Sequence, residues 1–284
     1  MGLRPTWAEI DLGTFAANLK TTRNIVGQNV KIMAVVKANA YGHGSVEIAK
    51  VATRNGANML AVATLDEAVR LREAGIKQPI LVLGTNIPGD GVETAIHQDI
   101  TQALCTKELA EALSISAEKQ NKKALVHLKL DTGMSRIGVR PSEAVRFMKE
   151  VSSYPGIKLE GVFSHFAAAD NIQDSSYTAL QLTRFKKTVS QLEQEGYRFP
   201  LRHIANSAAI LSYPEAYLDM VRPGCILYGS LPVPTVTGPS TFEPTIAVKT
   251  RIVYLKKVPK DTPISYGLTY KTSAQQLLAT LPVG

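Results

Sequence analysis

Ile32-Met33-Ala34-Val35-Val36-Lys37-Ala38-Asn39-Ala40-Tyr41-Gly42-His43-Gly44 drives an apolar strand pattern straight into a lysine and then into a polar, glycine-bearing turn. A lysine there can be a plain strand-end charge, its stem lying along the strand while the ammonium reaches water. It can also be a chemical tool. An ammonium held against an apolar wall loses hydration, so its pKa falls and its amine becomes a nucleophile toward carbonyl groups. Position alone favours the plain reading.

Outward from this strand, apolar runs recur at residues 31–37, 58–63, 79–83, 100–104, 124–130, 158–164, 201–205 and 221–228. Helix patterns separate them. Thr64-Leu65-Asp66-Glu67 has capping-box spacing and opens a stretch that runs to Gly75. Residues 175–196 place Leu182, Phe185, Val189 and Leu192 on one face, and residues 12–24 form a helix ahead of the first strand. Alternating strand and helix implies parallel strands with crossover helices, and eight such units can close into an α/β fold of the (β/α)8 TIM barrel type. An open doubly wound sheet is the structural alternative. Barrel enzymes carry their chemistry at the C-terminal strand ends, and the polar residues gather there: Lys37, 131–136, His165, Asn206-Ser207 and Arg222-Pro223-Gly224.

The barrel is expected over residues 1–230. Leu231-Pro232-Val233-Pro234 and Gly238-Pro239-Ser240 then read as a proline-rich linker over 231–242, and residues 243–284 as a partial C-terminal β-domain built around the turn-like Lys260-Asp261-Thr262-Pro263. The chain holds 32 basic against 24 acidic residues, a net charge of +8, with no arginine-rich block or basic aromatic stripe to suggest nucleic acid. That charge suits a ligand bearing phosphate and carboxylate. Cys105 and Cys225 are too few and too far apart for a disulfide framework or a metal knuckle, so no metal is expected. No apolar run reaches membrane-span length and the N-terminus lacks a signal-peptide core, so a cytoplasmic protein is expected.

Each remaining motif has a plain reading. In Lys129-Leu130-Asp131-Thr132-Gly133-Met134-Ser135-Arg136, Asp131 or Thr132 can cap a turn. His165 in Val162-Phe163-Ser164-His165 can be a satisfied core histidine, and Ser207 in His203-Ile204-Ala205-Asn206-Ser207 a helix N-cap. A tyrosine such as Tyr266 in Ile264-Ser265-Tyr266-Gly267-Leu268-Thr269-Tyr270 can be packing. Taken together and in this order, the motifs resemble those of the alanine racemases, which depend on pyridoxal phosphate. The run Ala34–Gly44 is similar to that family's cofactor attachment site.

The resemblance implies that Lys37 carries the cofactor covalently and that Tyr41 contacts its phosphate. Ser207 and the backbone of Gly224 and Cys225 complete the phosphate cradle, with Leu83 and Asn206 as further contacts. Arg136 sits near the cofactor's phenolic oxygen and the substrate, and Lys129 matches a lysine that some members carry carbamylated. His165 stacks on the pyridine ring and bonds onward to Arg222. A guanidinium beside the pyridine nitrogen donates a hydrogen bond and cannot give up its proton, so the nitrogen stays unprotonated and the ring is a weaker electron sink. Racemisation needs acid/base groups on both faces of Cα: Lys37 is one and Tyr266, arriving from the partner of a homodimer, is the other.

The expected activity is interconversion of L- and D-alanine, which supplies D-alanine for peptidoglycan. Serine or broad-specificity racemisation is an enzymatic alternative, and a single-barrel, non-catalytic carrier of pyridoxal phosphate one from another class. Members of the family continue past the point where this sequence stops at Gly284, so it is expected to be a C-terminally truncated member.

Overall fold

The computed structural model describes residues 4–89, 91–233 and 242–283, so most of the expected linker lies outside the described residues. They form two compact units, Leu12–Thr245 and a second made of the N-terminal residues through Asp11 with Ile246–Gly284.

In the larger unit eight parallel strands follow one another: β2 (Lys31–Val35), β3 (Met59–Val62), β4 (Ile80–Val82), β5 (Thr101–Leu104), β6 (Ala124–Lys129), β7 (Ile157–Phe163), β8 (Leu201–His203) and β9 (Met220–Val221), the label β1 belonging to Thr6–Ile10 in the other unit. Each pairs with its sequence neighbour from β2 to β8, and β9 pairs back onto β2. The Arg202 carbonyl accepts the Asp219 N–H at 3.1 Å and the Ala205 carbonyl the Arg222 N–H at 3.0 Å, which closes the last gap. The sheet is therefore a barrel rather than an open doubly wound sheet.

Alternation along the strands decides which side chains can serve a site. Leu104, Ala124 and Val126 face outward into a layer completed by Leu109 and Leu113 of the helix Lys107–Lys119. Met33, Val35, Met59, Ala61, Leu81, Ala103, Phe163 and Met220 fill the interior. His127 and Lys129 have the opposite parity to Val126 and so point inward, two polar side chains inside an apolar barrel. The flanking helices follow their sequence signals. Leu65–Glu73 starts behind an extended Thr64 and stops before Gly75, whose φ of +82° ends the turn. Ser176–Gln194 buries Leu182, Phe185, Val189 and Leu192.

Three expectations need correction. The run 221–228 is not one strand: β9 ends at Val221 and Cys225–Tyr228 is a 3-10 turn, whose Ile226 and Leu227 are buried by packing and not by sheet pairing. The first barrel strand stops at Val35, two residues before Lys37. The barrel unit begins at Leu12, because β1 pairs antiparallel with β10 (Ile246–Thr250), from Thr6 opposite Thr250 to Ile10 opposite Ile246.

The smaller unit adds two antiparallel pairs to that one, made of β11 (Tyr254–Val258), the short β12 (Pro263–Ile264) and β13 (Tyr270–Lys271), and β14 (Gln276–Thr280). β11 pairs with β14, and β12 with β13. Val258 is buried, whereas Val248, Ile252, Tyr254, Leu255 and Leu277 are each more than half exposed. No helix among the described residues is long and apolar enough to cross a membrane.

Candidate active site at the C-terminal end of the barrel

Two adjoining cavities open where the strands end. One, of about 280 Å³, is lined by Lys37, Leu83, Lys129, Arg136, His165 and Arg222 among others. The next, of about 410 Å³, shares Lys37, Leu83, His165 and Arg222 and adds Tyr41, Asn206, Ser207, Gly224 and Cys225. The fold thus gathers every expected site residue except Tyr266, which stands on the smaller unit with 99% of its surface exposed.

Lys37 leads into an unusual piece of backbone. Ala38, Asn39 and Ala40 have φ between 52° and 55° with ψ between 45° and 50°, and Tyr41 has φ 52°. This is a left-handed helical turn made without glycine, a conformation that costs about 1–2 kcal/mol per L-residue. Its own bonds, Gly42 N–H to the Ala38 carbonyl at 3.1 Å and Gly44 N–H to the Asn39 carbonyl at 3.0 Å, offset part of that. The reversed hand brings Tyr41 back beside Lys37, with Nζ 6.0 Å from the ring centroid. The Tyr41 ring also packs on Tyr228 at 4.9 Å, and burial pushes its phenol up to about 12, so it is a proton donor at neutral pH.

Its hydroxyl rests against the backbone of Gly224, where an added Cβ would meet Oη at 2.8 Å. Glycine is what permits the approach. Asn206, not Ser207, is the N-cap of Ser207–Ser212, its Oδ1 accepting the Ala209 N–H at 3.0 Å. Ser207 Oγ is left to accept the Gly224 N–H at 2.9 Å, so its own proton can go to an anion in the cavity. Gly224 N–H, expected in the phosphate cradle, is here spent on Ser207.

Arg222 is buried and meets no carboxylate among the described residues. Its Nη1 donates to His203 Nδ1 at 2.8 Å, and its Nη2 reaches the Ser164 carbonyl at 2.7 Å, His165 Nδ1 at 3.1 Å and the Ile204 carbonyl at 3.1 Å. Burial lowers it to about 9, which still leaves it charged at neutral pH. A guanidinium only donates, so both imidazoles accept through Nδ1 and carry their protons on Nε2. His203 Nε2 then donates to His127 Nδ1 at 2.8 Å, and His127 must hold its proton on Nε2, a buried N–H with no partner. Burial, then Arg222, drives His127 down to about 3; the same causes hold His165 and His203 well below the usual histidine range. All three are neutral, so the whole row fixes Arg222 as a donor.

Lys129 Nζ lies 4.7 Å from the Phe163 ring centroid. Burial first, then Arg222 and Arg136, lowers it to about 7. The first cavity therefore has four basic side chains, Lys37, Lys129, Arg136 and Arg222, and no carboxylate in its lining. Lys129 and Arg222 are buried there with Asp131, outside the lining, as the carboxylate acting on Lys129, and such positive charge calls for an anionic ligand. The family model of the alanine racemase N-terminal domain matches residues 10–232, and that of the C-terminal domain residues 245–284.

The chain belongs to the alanine racemase family. The alanine racemase of Halothermothrix orenii is 48% identical over 281 residues, covering 99% of this chain and 74% of that one. Among solved structures, the alanine racemase of Clostridium difficile 630 superposes with a TM-score of 0.91 at 38% identity, over 100% of this chain and 74% of that one. A histidine racemase from Leuconostoc mesenteroides gives 0.90 at 30% identity, over 100% and 76%. Set against that family, the residues missed in the sequence are His203, which there only opens a motif, and His127. The available signal was parity: His127 lies two residues before Lys129 on one strand and must share its inward face.

Proposed function

We propose that the chain is an alanine racemase that binds pyridoxal phosphate through Lys37, converts L- and D-alanine into one another, and works as a homodimer. The observation that carries this is the basic cavity beside Lys37, whose lining in the smaller of the two chambers holds no carboxylate, with a buried Arg222 locked as a hydrogen-bond donor. The residues present fit the cofactor. Ser207 and Tyr41 offer hydroxyl donors to a phosphate; Arg136 offers a guanidinium to a phenolic oxygen and a substrate carboxylate; His165 offers a ring face. Leu83, Asn206, Gly224 and Cys225 complete the wall. Attached to an amino acid, pyridoxal phosphate draws electron density from Cα and acidifies its proton.

The chain's own groups do the rest. Arg222 would face the ring nitrogen as a donor and keep it unprotonated, so that electron withdrawal stays moderate and the proton returns to Cα before other chemistry intervenes. An acidic residue there would favour decarboxylation or amino transfer. Lys37 moves the proton on the D-side face and Tyr266 on the L-side face. The Tyr266 side chain is 99% exposed, which supports its entering the site of a second copy. Lys129, lowered to about 7 and so in part uncharged at pH 7, can add carbon dioxide and release a proton to give a carbamate that would pair with Arg136. The match to both domain families speaks against a single-barrel carrier.

Alanine is the substrate, and D-alanine for peptidoglycan in the cytoplasm its use. A broader racemase, acting on serine or other amino acids, is the second reading, favoured by the similarity to a histidine racemase. Incubation with pyridoxal phosphate and L-alanine, followed by chiral chromatography, should show D-alanine rising until the enantiomers are equal, since mirror images are isoenergetic. Faster turnover of L-serine or L-histidine would replace alanine, and bound cofactor without any D-product would favour the carrier.

A further inference from the structure

Glu67 stands in the first turn of the helix Leu65–Glu73, yet its carboxylate reaches the turn that follows Lys37. Its Oε1 accepts the Ala38 N–H at 2.6 Å, while Oε2 accepts the Ala63 N–H at 2.7 Å and reaches the Thr64 N–H at 3.4 Å. Thr64 opens the helix Leu65–Glu73, so one side of the carboxylate serves that helix start and the other serves the left-handed turn. Ala38 is the first residue of that turn, and Glu67 accepts its N–H.

We propose that Glu67 is a positioning residue for Lys37: by holding the Ala38 N–H it keeps residues 38–41 left-handed, and so keeps Lys37 and Tyr41 side by side at the cavity. The role of Lys37 in this statement rests on the function proposed above. Three observations converge on it. The turn consists of four consecutive L-residues at positive φ with no glycine, so local preference works against it. Ala38 and Asn39 are exposed, so water can replace a lost hydrogen-bond partner, but water cannot impose a backbone angle. Asn39 Oδ1, accepting the Ser45 N–H at 2.9 Å, secures the far end; at the lysine end the Val36 carbonyl takes the Ala40 N–H at 2.9 Å, and Glu67 is the side chain that holds the Ala38 N–H.

Glutamate is needed because both oxygens accept. Glutamine has one carbonyl oxygen, and its amide nitrogen would face an N–H on one of the two sides.

The test compares the full chain with Glu67→Gln, Glu67→Ala and each of these combined with Ala38→Gly. Glycine takes the left-handed conformation at no steric cost, so it removes the need for the clamp without restoring it. Two readouts are used: amide hydrogen exchange over residues 38–44 without cofactor, and the rate at which pyridoxal phosphate becomes fixed to Lys37 on borohydride reduction. In the single variants exchange should quicken and labelling slow by about ten- to a hundredfold, the worth of one hydrogen bond to a charged group. Adding Ala38→Gly should recover most of the labelling rate.

A purely helix-capping role would lower thermal stability without that recovery, and slowed labelling that Ala38→Gly leaves unchanged would overturn the proposal. So would unchanged exchange and labelling in both single variants. Should the unsubstituted chain take no label at Lys37, the functional reading would fail, and the exchange arm, which needs no cofactor, would still decide whether Glu67 holds the turn.

Discussion

Arg222→Glu should slow alanine racemisation by about a hundredfold or more and raise the pyruvate formed per D-alanine, the sign of amino transfer displacing proton return. The rate estimate follows from losing hydrogen bonds to a charged donor, each worth ~1.5–3 kcal/mol. The product ratio follows from polarity. Arg222 donates to His203 and His165 and presents a proton that it keeps, whereas a carboxylate favours a protonated ring nitrogen and so a stronger electron sink. A glutamate buried beside neutral imidazoles also destabilises the fold, by ~3–5 kcal/mol if left unpaired. The ratio of pyruvate to D-alanine does not depend on how much of the protein is folded, which makes it the quantity to measure. An unchanged ratio would mean that Arg222 does not face the ring nitrogen.

Mixing two inactive chains should bring activity back. On the proposed mechanism Lys37→Ala and Tyr266→Phe each remove one of the two acid/base groups, and Tyr266 is 99% exposed. If the tyrosine serves its partner's site across a two-fold interface, a mixed dimer has one site with both defects and one with neither. With random pairing half the dimers are mixed and half of their sites work, so about a quarter of the unsubstituted activity should return after subunit exchange. The measurement is the D-alanine rate against mixing ratio. A tyrosine acting within its own chain would leave every site defective and restore nothing.

The barrel was legible because its strands are buried on both faces and read as short apolar runs, and most of the runs match the observed strands to within a residue or two. The run 221–228 misled for the same reason: apolar content cannot separate a buried 3-10 turn from a buried strand. The pairing of Thr6–Ile10 with Ile246–Thr250 joins segments at opposite ends of the chain, and no local pattern announces it.

In the site, Lys37, His165 and Arg222 were legible because charged or titratable residues stood at strand ends inside recognisable motifs. The left-handed turn was not, since Ala38, Asn39, Ala40 and Tyr41 include no glycine to mark positive φ. His203 and His127 were hidden by their strands, where a histidine looks like any core residue until its parity is set against that of Lys129. The plain alternative that Ser207 caps the helix does not hold, because the neighbouring Asn206 is an equally good cap and only geometry chooses between them.

The decisive measurement is borohydride reduction of the protein after loading with pyridoxal phosphate, followed by peptide mapping. The account predicts a single pyridoxyl label on Lys37, at the barrel mouth beside Tyr41. A label on Lys129, whose lowered basicity makes it the competing amine in the same cavity, would contradict it.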